Sequence, residues 1–278
     1  MSNISTNYPE PTIMGILNMT PDSFSDGGKY TSVEVAFDEA LKMIEQGAKI
    51  IDVGGESTRP GSAPISLDQE LARVLPIVQC LCLLKNSDLD GEPVDFKISV
   101  DTTKPAVARA SLELGADIIN DVTGMTNPKM REVVAEFGCT VVIMHMQGRP
   151  KTMQNNPNYT DSVLQIKEFF EKQIATCKKE GISQIIIDPG IGFGKSLEHN
   201  LQIIKHLDQF KIFGQPILFG ASRKSFIQKA LDLPLKEREE ATQTANVMAF
   251  ERGAQIFRVH QVKSNFRALQ MAYKIVSI

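Results

Sequence analysis

The sequence predicts an α/β protein built as a single (β/α)8 barrel, and three observations carry that expectation. Eight apolar runs recur along the 278 residues, each followed by a polar or glycine-rich break and then by a segment with helical spacing. Strands separated by helices need crossover connections, which makes their sheet parallel. Chemically distinctive residues follow nearly every run, as expected where the C-terminal strand ends face one pocket. Periodicity does not encode closure, so an open doubly wound sheet is the competing arrangement.

The runs are Ile13–Leu17, Ile50–Val53, Lys97–Val100, Asp117–Ile119, Thr140–Met144, Gln184–Ile187, Pro216–Phe219 and Gln255–Val259. The sixth is the plainest, because its isoleucines and Asp188 precede Pro189 and a glycine-rich turn through which no strand continues. Helical spacing follows the first run at Val33, Phe37, Leu41 and Ile44, and the fifth at Val163, Ile166, Phe170 and Ile174. Gly47, Gly115, Gly138, Gly181 and Gly253 stand where a helix must end and turn into the next strand. Ser66 to Gln69 reads as a capping box, and Pro105 and Pro128 as first-turn prolines. Lys85–Pro93, overlapping a long insertion at Asn86–Asp95, is an acidic loop without periodicity on the side of the barrel away from the pocket. Residues 1–12 form an N-terminal tail and residues 13–278 the barrel domain, with no linker between further domains.

A net charge of −3, with 42% hydrophobic and 23% charged residues, describes an ordinary soluble chain. It excludes the basic footprint of a nucleic-acid partner. The polar start, with Pro9 and Pro11, lacks the apolar core of a signal peptide, and no run approaches the ~20 residues of a membrane span. The expectation is a cytoplasmic protein. Cys80, Cys82, Cys139 and Cys177 form no C-x-x-C pair and read as small buried residues in a reducing compartment.

The first run leads into Asn18 and a loop with Pro21, Asp22, Phe24, Asp26 and two glycines; the second leads from Asp52 into Glu56, Ser57, Thr58, Arg59 and Pro60. The third, fourth and sixth deliver Asp101, then Asn120 with Asp121, then Asp188. Acids and an amide at strand ends suit a metal, acid–base work or a nitrogen-rich heterocycle, since a carboxylate accepts two parallel hydrogen bonds from an N–C–N edge. Some of them also suit helix capping. Ser222, Arg223 and Lys224 follow the seventh run, where a hydroxyl at a helix start favours a carboxylate or phosphate. Arg258 and His260, two apart on the eighth strand, share a side and suit phosphate. His145 follows a strand, whereas His199 and His206 carry weaker claims. Gly190–Ser196, GIGFGKS, resembles a phosphate-binding loop but places Pro189 where the motif needs glycine, and the dinucleotide pattern fails as well.

The ordered motifs GILNMTPDSFSDGG, IDVGGESTRPG, SVDTTKP, IINDVTG, MHMQGRP, IDPGIGFGK, GASRKS and RVH closely resemble the dihydropteroate synthase family, from about Ile13 to the final helix. That resemblance implies a barrel joining 6-hydroxymethyl-7,8-dihydropterin diphosphate to p-aminobenzoate in folate biosynthesis. It implies that Asp101, Asn120, Asp188 and Lys224 hold the pterin, and that Arg258 and His260, with Asn18 and Mg²⁺, hold the diphosphate. Thr58, Arg59, Pro60 and Ser222 would face p-aminobenzoate, with the carboxylate at Ser222. Asp101 and Asp26 would stabilise a cation in a dissociative, SN1-like displacement, and Lys224 and Arg258 complete the catalytic set. A homodimer through the last helices is also implied, for which Ala241, Ala245 and Ala249 offer a small-residue face. Gln261 departs from the usual Asp after RVH, and Met19 from a frequent Val. The competing activity is a methyl-tetrahydrofolate methyltransferase, which has no use for a diphosphate site.

Overall fold

Parallel pairing, rather than any single strand, organises the chain. The computed structural model describes residues 8–20, 32–57, 62–89, 92–148, 152–153 and 157–278. Its main sheet has eight strands: β1 (Thr12–Asn18), β2 (Ala48–Gly54), β3 (Lys97–Asp101), β4 (Ile118–Asp121), β5 (Thr140–Met144), β6 (Ile185–Asp188), β7 (Leu218–Phe219) and β8 (Ile256–Val259). They pair in the order β6-β5-β4-β3-β2-β1-β8-β7. Ile187 of β6 bridges Ile217, just before β7, and its N–H donates to Pro216 O at 2.9 Å. That pairing closes the ring, so the barrel prevails over the open sheet.

Helices connect the strands on the outside: α1 (Ser32–Glu45), α2 (Leu67–Lys85), α3 (Pro105–Leu114), α4 (Pro128–Phe137), α5 (Ser162–Lys179), α6 (Leu197–Lys205), α7 (Ser225–Leu231), α8 (Glu239–Glu251) and α9 (Val262–Val276). The capping box at Ser66 and Gln69 is formed, Pro105 and Pro128 open their helices, and Gly115 and Gly138 close theirs in the left-handed region. Both α7 and α8 lie between β7 and β8.

Alternation gives each strand two environments. Outward residues such as Ile51, Val53, Ile98, Val100, Ile143 and Phe219 join the main core with Ala36, Val74, Ile77 and Val107 from the helices. Inward residues Met14, Ile50, Ile118, Val142, Ile186, Leu218 and Ile256 form a separate apolar plug at the N-terminal half of the barrel. β3 gives no residue to that plug; beside Ile118 in register it places the buried Ser99.

Two expectations change. The insertion is not structureless: Asp88–Leu89 pairs antiparallel with Glu92–Pro93. Strands of two residues are too short to display alternation in sequence. The small-residue face of α8 is also interrupted, because Ala249 is fully buried within the chain's own core.

Candidate active site

Above the plug, the next inward positions of β2, β4, β6 and β8 turn polar. Asp52 lies two residues beyond Ile50, and Arg258 two beyond Ile256, so the pleat carries both into the barrel. Arg258 Nε donates to Asp52 Oδ2 at 2.6 Å and its NH2 to Asp101 Oδ2 at 2.8 Å. Asp52, with no exposed surface, also accepts from Ser99 Oγ at 2.6 Å and from Asn120 Nδ2 at 3.2 Å. A buried carboxylate is tolerated only when its lone pairs are filled in this way. Burial works against the Arg258 charge, but Asp52 and Asp101 outweigh it and hold the guanidinium firmly protonated.

Asp101 is less completely served. Its Oδ1 is buried and accepts no hydrogen bond among the described residues. Burial pushes its carboxyl up to about 7, against the opposing pull of Arg258. An unfilled acceptor aimed into a pocket suits an incoming N–H or a developing positive charge.

A second polar pair forms where β6 and β7 end. Asp188 Oδ1 accepts from Gly190 N at 2.7 Å, and burial raises its carboxyl despite nearby Lys224. Lys224 donates to Ile191 O, and its Nζ stands 4.5 Å from the centre of the Phe193 ring. Burial lowers this amine to about 8, with Asp188 opposing the shift.

Ser222 corrects its expected place. Lys224, not Ser222, is the N-cap of α7, and the Ser222 hydroxyl lies 2.9 Å from His260 Nδ1 and accepts from His260 N at 3.2 Å. Arg223, at φ 59°, spends two residues turning the chain before the helix begins, which takes Ser222 off the helix end. The result is a hydroxyl–imidazole pair joining the segments that follow β7 and β8.

Asn18 closes β1 beside Gly54. A Cβ at Gly54 would lie 3.6 Å from Asn18 Oδ1 and 3.9 Å from Asp101 Oδ2, so glycine leaves these oxygens facing one gap. Few protein oxygens, completed by water and substrate phosphate, are the donor set Mg²⁺ favours. The described residues contain no group of three or more His, Cys, Asp or Glu able to hold a metal.

The root of the loop after β2 is tied down by charge. Lys104 donates to Glu56 and Glu70, Thr102 Oγ1 donates to Glu70 Oε1 at 2.6 Å, and Arg73 donates to Gly55 O at 2.9 Å. Thr58, Arg59 and Pro60, together with Phe24 and Asp26, lie outside the described residues. Asp121 is structural: it accepts from Thr123 N, Thr123 Oγ1 and Met125 N in the turn after β4.

Asn18, Asp101, Ser222, Lys224, Arg258 and His260 all line one cavity of about 860 Å³, while Asn120 and Asp188 are buried outside its immediate lining. Ser99, Glu70 and Lys104 were not singled out from sequence, and Asp52 was named there as a strand end without a role. An acid inside an otherwise apolar strand was the available signal for Asp52.

A pterin-binding enzyme family model matches residues 14–260. The dihydropteroate synthase of Escherichia coli is 44% identical over 275 residues, covering 98% of this chain and 94% of that protein. The chain belongs to the dihydropteroate synthase family. Among solved structures of this family, that from Yersinia pestis in complex with a sulfonamide drug superimposes with a TM-score of 0.88 at 42% identity, covering 97% of this chain and 95% of that one. The Xanthomonas albilineans dihydropteroate synthase with 4-aminobenzoic acid gives a TM-score of 0.88 at 38% identity, covering 97% and 94%. Family membership gives the cavity its chemical context: the strand ends that form it lie within the matched region.

Proposed function

We propose that this protein condenses 6-hydroxymethyl-7,8-dihydropterin diphosphate with p-aminobenzoate, forming 7,8-dihydropteroate and diphosphate in folate biosynthesis. The observation that carries the reading is the convergence of a doubly held Arg258, the Ser222–His260 pair and the unfilled Asp101 Oδ1 on one cavity. A diphosphate leaving group and a cationic carbon need those charges within one site.

Asp188 accepts hydrogen bonds from the pterin amine and ring N–H, Lys224 donates to the ring carbonyl, and Asn120 completes the pterin edge. Arg258 and His260 take the diphosphate and neutralise the charge that grows as the C–O bond breaks. Asn18 would hold a Mg²⁺ ion, which would supply further neutralisation of the leaving group. The displacement is dissociative: the methylene cation forms first, stabilised by Asp101 and Asp26, and the aryl amine attacks second. Thr58, Arg59, Pro60 and Ser222 orient p-aminobenzoate, and the loops bearing Phe24, Asp26 and Arg59 exclude water that would trap the cation.

Residues 13–278 act as one barrel domain, in the cytoplasm and on small molecules rather than nucleic acid or membranes. The four free cysteines suit a reducing compartment, and no described helix is long and apolar enough to cross a membrane. Homodimers form through the last helices, supported by exposed Met248, Met271 and Ile275. The test is diphosphate release from the dihydropterin diphosphate, with and without p-aminobenzoate and with and without Mg²⁺. Release that needs the amine and the metal supports the reading; release independent of the amine means hydrolysis and contradicts it.

A further inference from the structure

The lysine of the phosphate-loop look-alike has no part in the chemistry above, yet it is among the largest fully buried side chains of the protein. Lys195 is 1% exposed. Its Nζ donates to Gly190 O at 2.9 Å and Phe193 O at 3.0 Å, and it lies 3.1 Å from His145 Nδ1 and 3.3 Å from His145 O. All four partners are neutral groups, and an amine so buried is tolerated only in a geometry that satisfies each N–H. The side chain therefore points into the protein and not towards a phosphate.

Those contacts stitch the turn after β6 to the end of β5. Gly190, Gly192 and Gly194 take φ of 69°, 82° and 63°, and a Cβ on Gly190 would overlap His145 O. The two turns thus meet backbone to backbone, with the Lys195 amine at the junction. The same short turn carries the pterin-facing groups. Gly190 N fixes Asp188 Oδ1, Ile191 O receives Lys224 Nζ, and the Phe193 ring lies beneath that amine. Lys195 holds the turn from behind at Gly190 and Phe193, and Lys224 rests on its front.

We propose that Lys195 is a positioning residue for the pterin half of the site, drawing Gly190 O, Phe193 O and the His145 imidazole onto one amine and so fixing the turn that aims Asp188 and Lys224. The inference rests on the reading that Asp188 and Lys224 hold the pterin. It predicts a one-sided defect, because Ser222 and His260 stand in the loops after β7 and β8, outside the turn that Lys195 holds.

The experiment compares wild type, Lys195→Met, Lys195→Gln and Lys224→Ala by steady-state diphosphate release, varying the pterin substrate and p-aminobenzoate separately, with a thermal melt of each protein. Methionine keeps the length without a donor, whereas the glutamine amide keeps two N–H donors. Lys195→Met should raise KM for the pterin substrate about tenfold while KM for p-aminobenzoate stays within about twofold, as small misplacements of binding groups do. Lys195→Gln should fall between Met and wild type. An unchanged pterin KM, equal rises in both KM values, or Met and Gln variants alike would each overturn the proposal. Failure of both variants to fold would also overturn it, making Lys195 a determinant of the fold. An inactive wild type would instead sink the synthase reading, and calorimetric binding of 6-hydroxymethylpterin to the same proteins would still decide the role of Lys195.

Discussion

The lower and upper halves of the barrel interior share β2, β4, β6 and β8 and are built on opposite principles. Below, Met14, Ile50, Ile118, Val142, Ile186, Leu218 and Ile256 fill the barrel with apolar side chains. Above, Asp52, Asn120, Asp188 and Arg258 stand one inward position further along β2, β4, β6 and β8, and Asp101 joins them from β3 through Arg258. The plug gains free energy from every area removed from water, about 25 cal/mol per Å². The polar half gains little, since each buried charge must first recover its hydration through a partner. A shift of two residues along a strand therefore separates what holds the barrel closed from what it is closed around.

The sharpest way to break that division is Lys224→Ala. It should lower kcat/KM for the pterin substrate about a thousandfold, roughly 4 kcal/mol of transition-state stabilisation, while the melting temperature hardly moves. A large loss of stability with modest loss of rate would place Lys224 among the structural residues instead. Ile186→Ala is the mirror experiment. It should destabilise the fold by about 2–5 kcal/mol through lost burial and a cavity, with kcat at 25 °C within about twofold of wild type. Chemical denaturation and a rate assay on the same sample check both halves of that statement.

Titration sharpens the comparison further, because only the polar half holds groups that change charge near neutrality. As pH falls through about 7, Asp101 takes up a proton and ceases to be a charged acceptor beside Arg258. As pH rises through about 8, Lys224 loses its proton and its donor charge. The kcat/KM for the pterin substrate should therefore trace a narrow bell, falling about tenfold per pH unit on both sides. A flat profile between pH 6 and about 9 would contradict the assignment of these groups.

The smallest effect concerns Gln261, the N-cap of α9, which makes no side-chain cap hydrogen bond. Gln261→Asp should raise stability by about 0.5–1 kcal/mol through capping and leave kcat within about twofold. A large change in rate would bring this position into the site.

The sequence made the apolar half almost fully readable, because strand runs, capping residues and closing glycines follow local rules. Pro105, Pro128 and Ser66 stand where those rules put them. The polar half was readable where an acid or cation ended a strand, as at Asp101, Asp188 and Arg258. It was not readable where a residue acts through a distant partner. Asp52 and Arg258 are 206 residues apart, and only the closed ring makes them neighbours. Lys195 was readable only in the negative: Pro189 removed the phosphate-loop reading, but nothing local showed that the side chain is buried against backbone carbonyls. Ser222 was assigned to a helix end that begins two residues later, because nothing in Gly220–Ser225 announces the positive φ of Arg223.

The most direct test of the account is Arg258→Lys in the diphosphate-release assay, read beside calorimetric binding of 6-hydroxymethylpterin. Lysine keeps the charge but cannot span Asp52 and Asp101 as the guanidinium fork does. The account predicts pterin binding within about threefold of wild type and amine-dependent release reduced about a hundredfold. Release at the wild-type rate would show that the leaving group is discharged elsewhere, and that the polar half of this barrel is a binding site without the chemistry assigned to it.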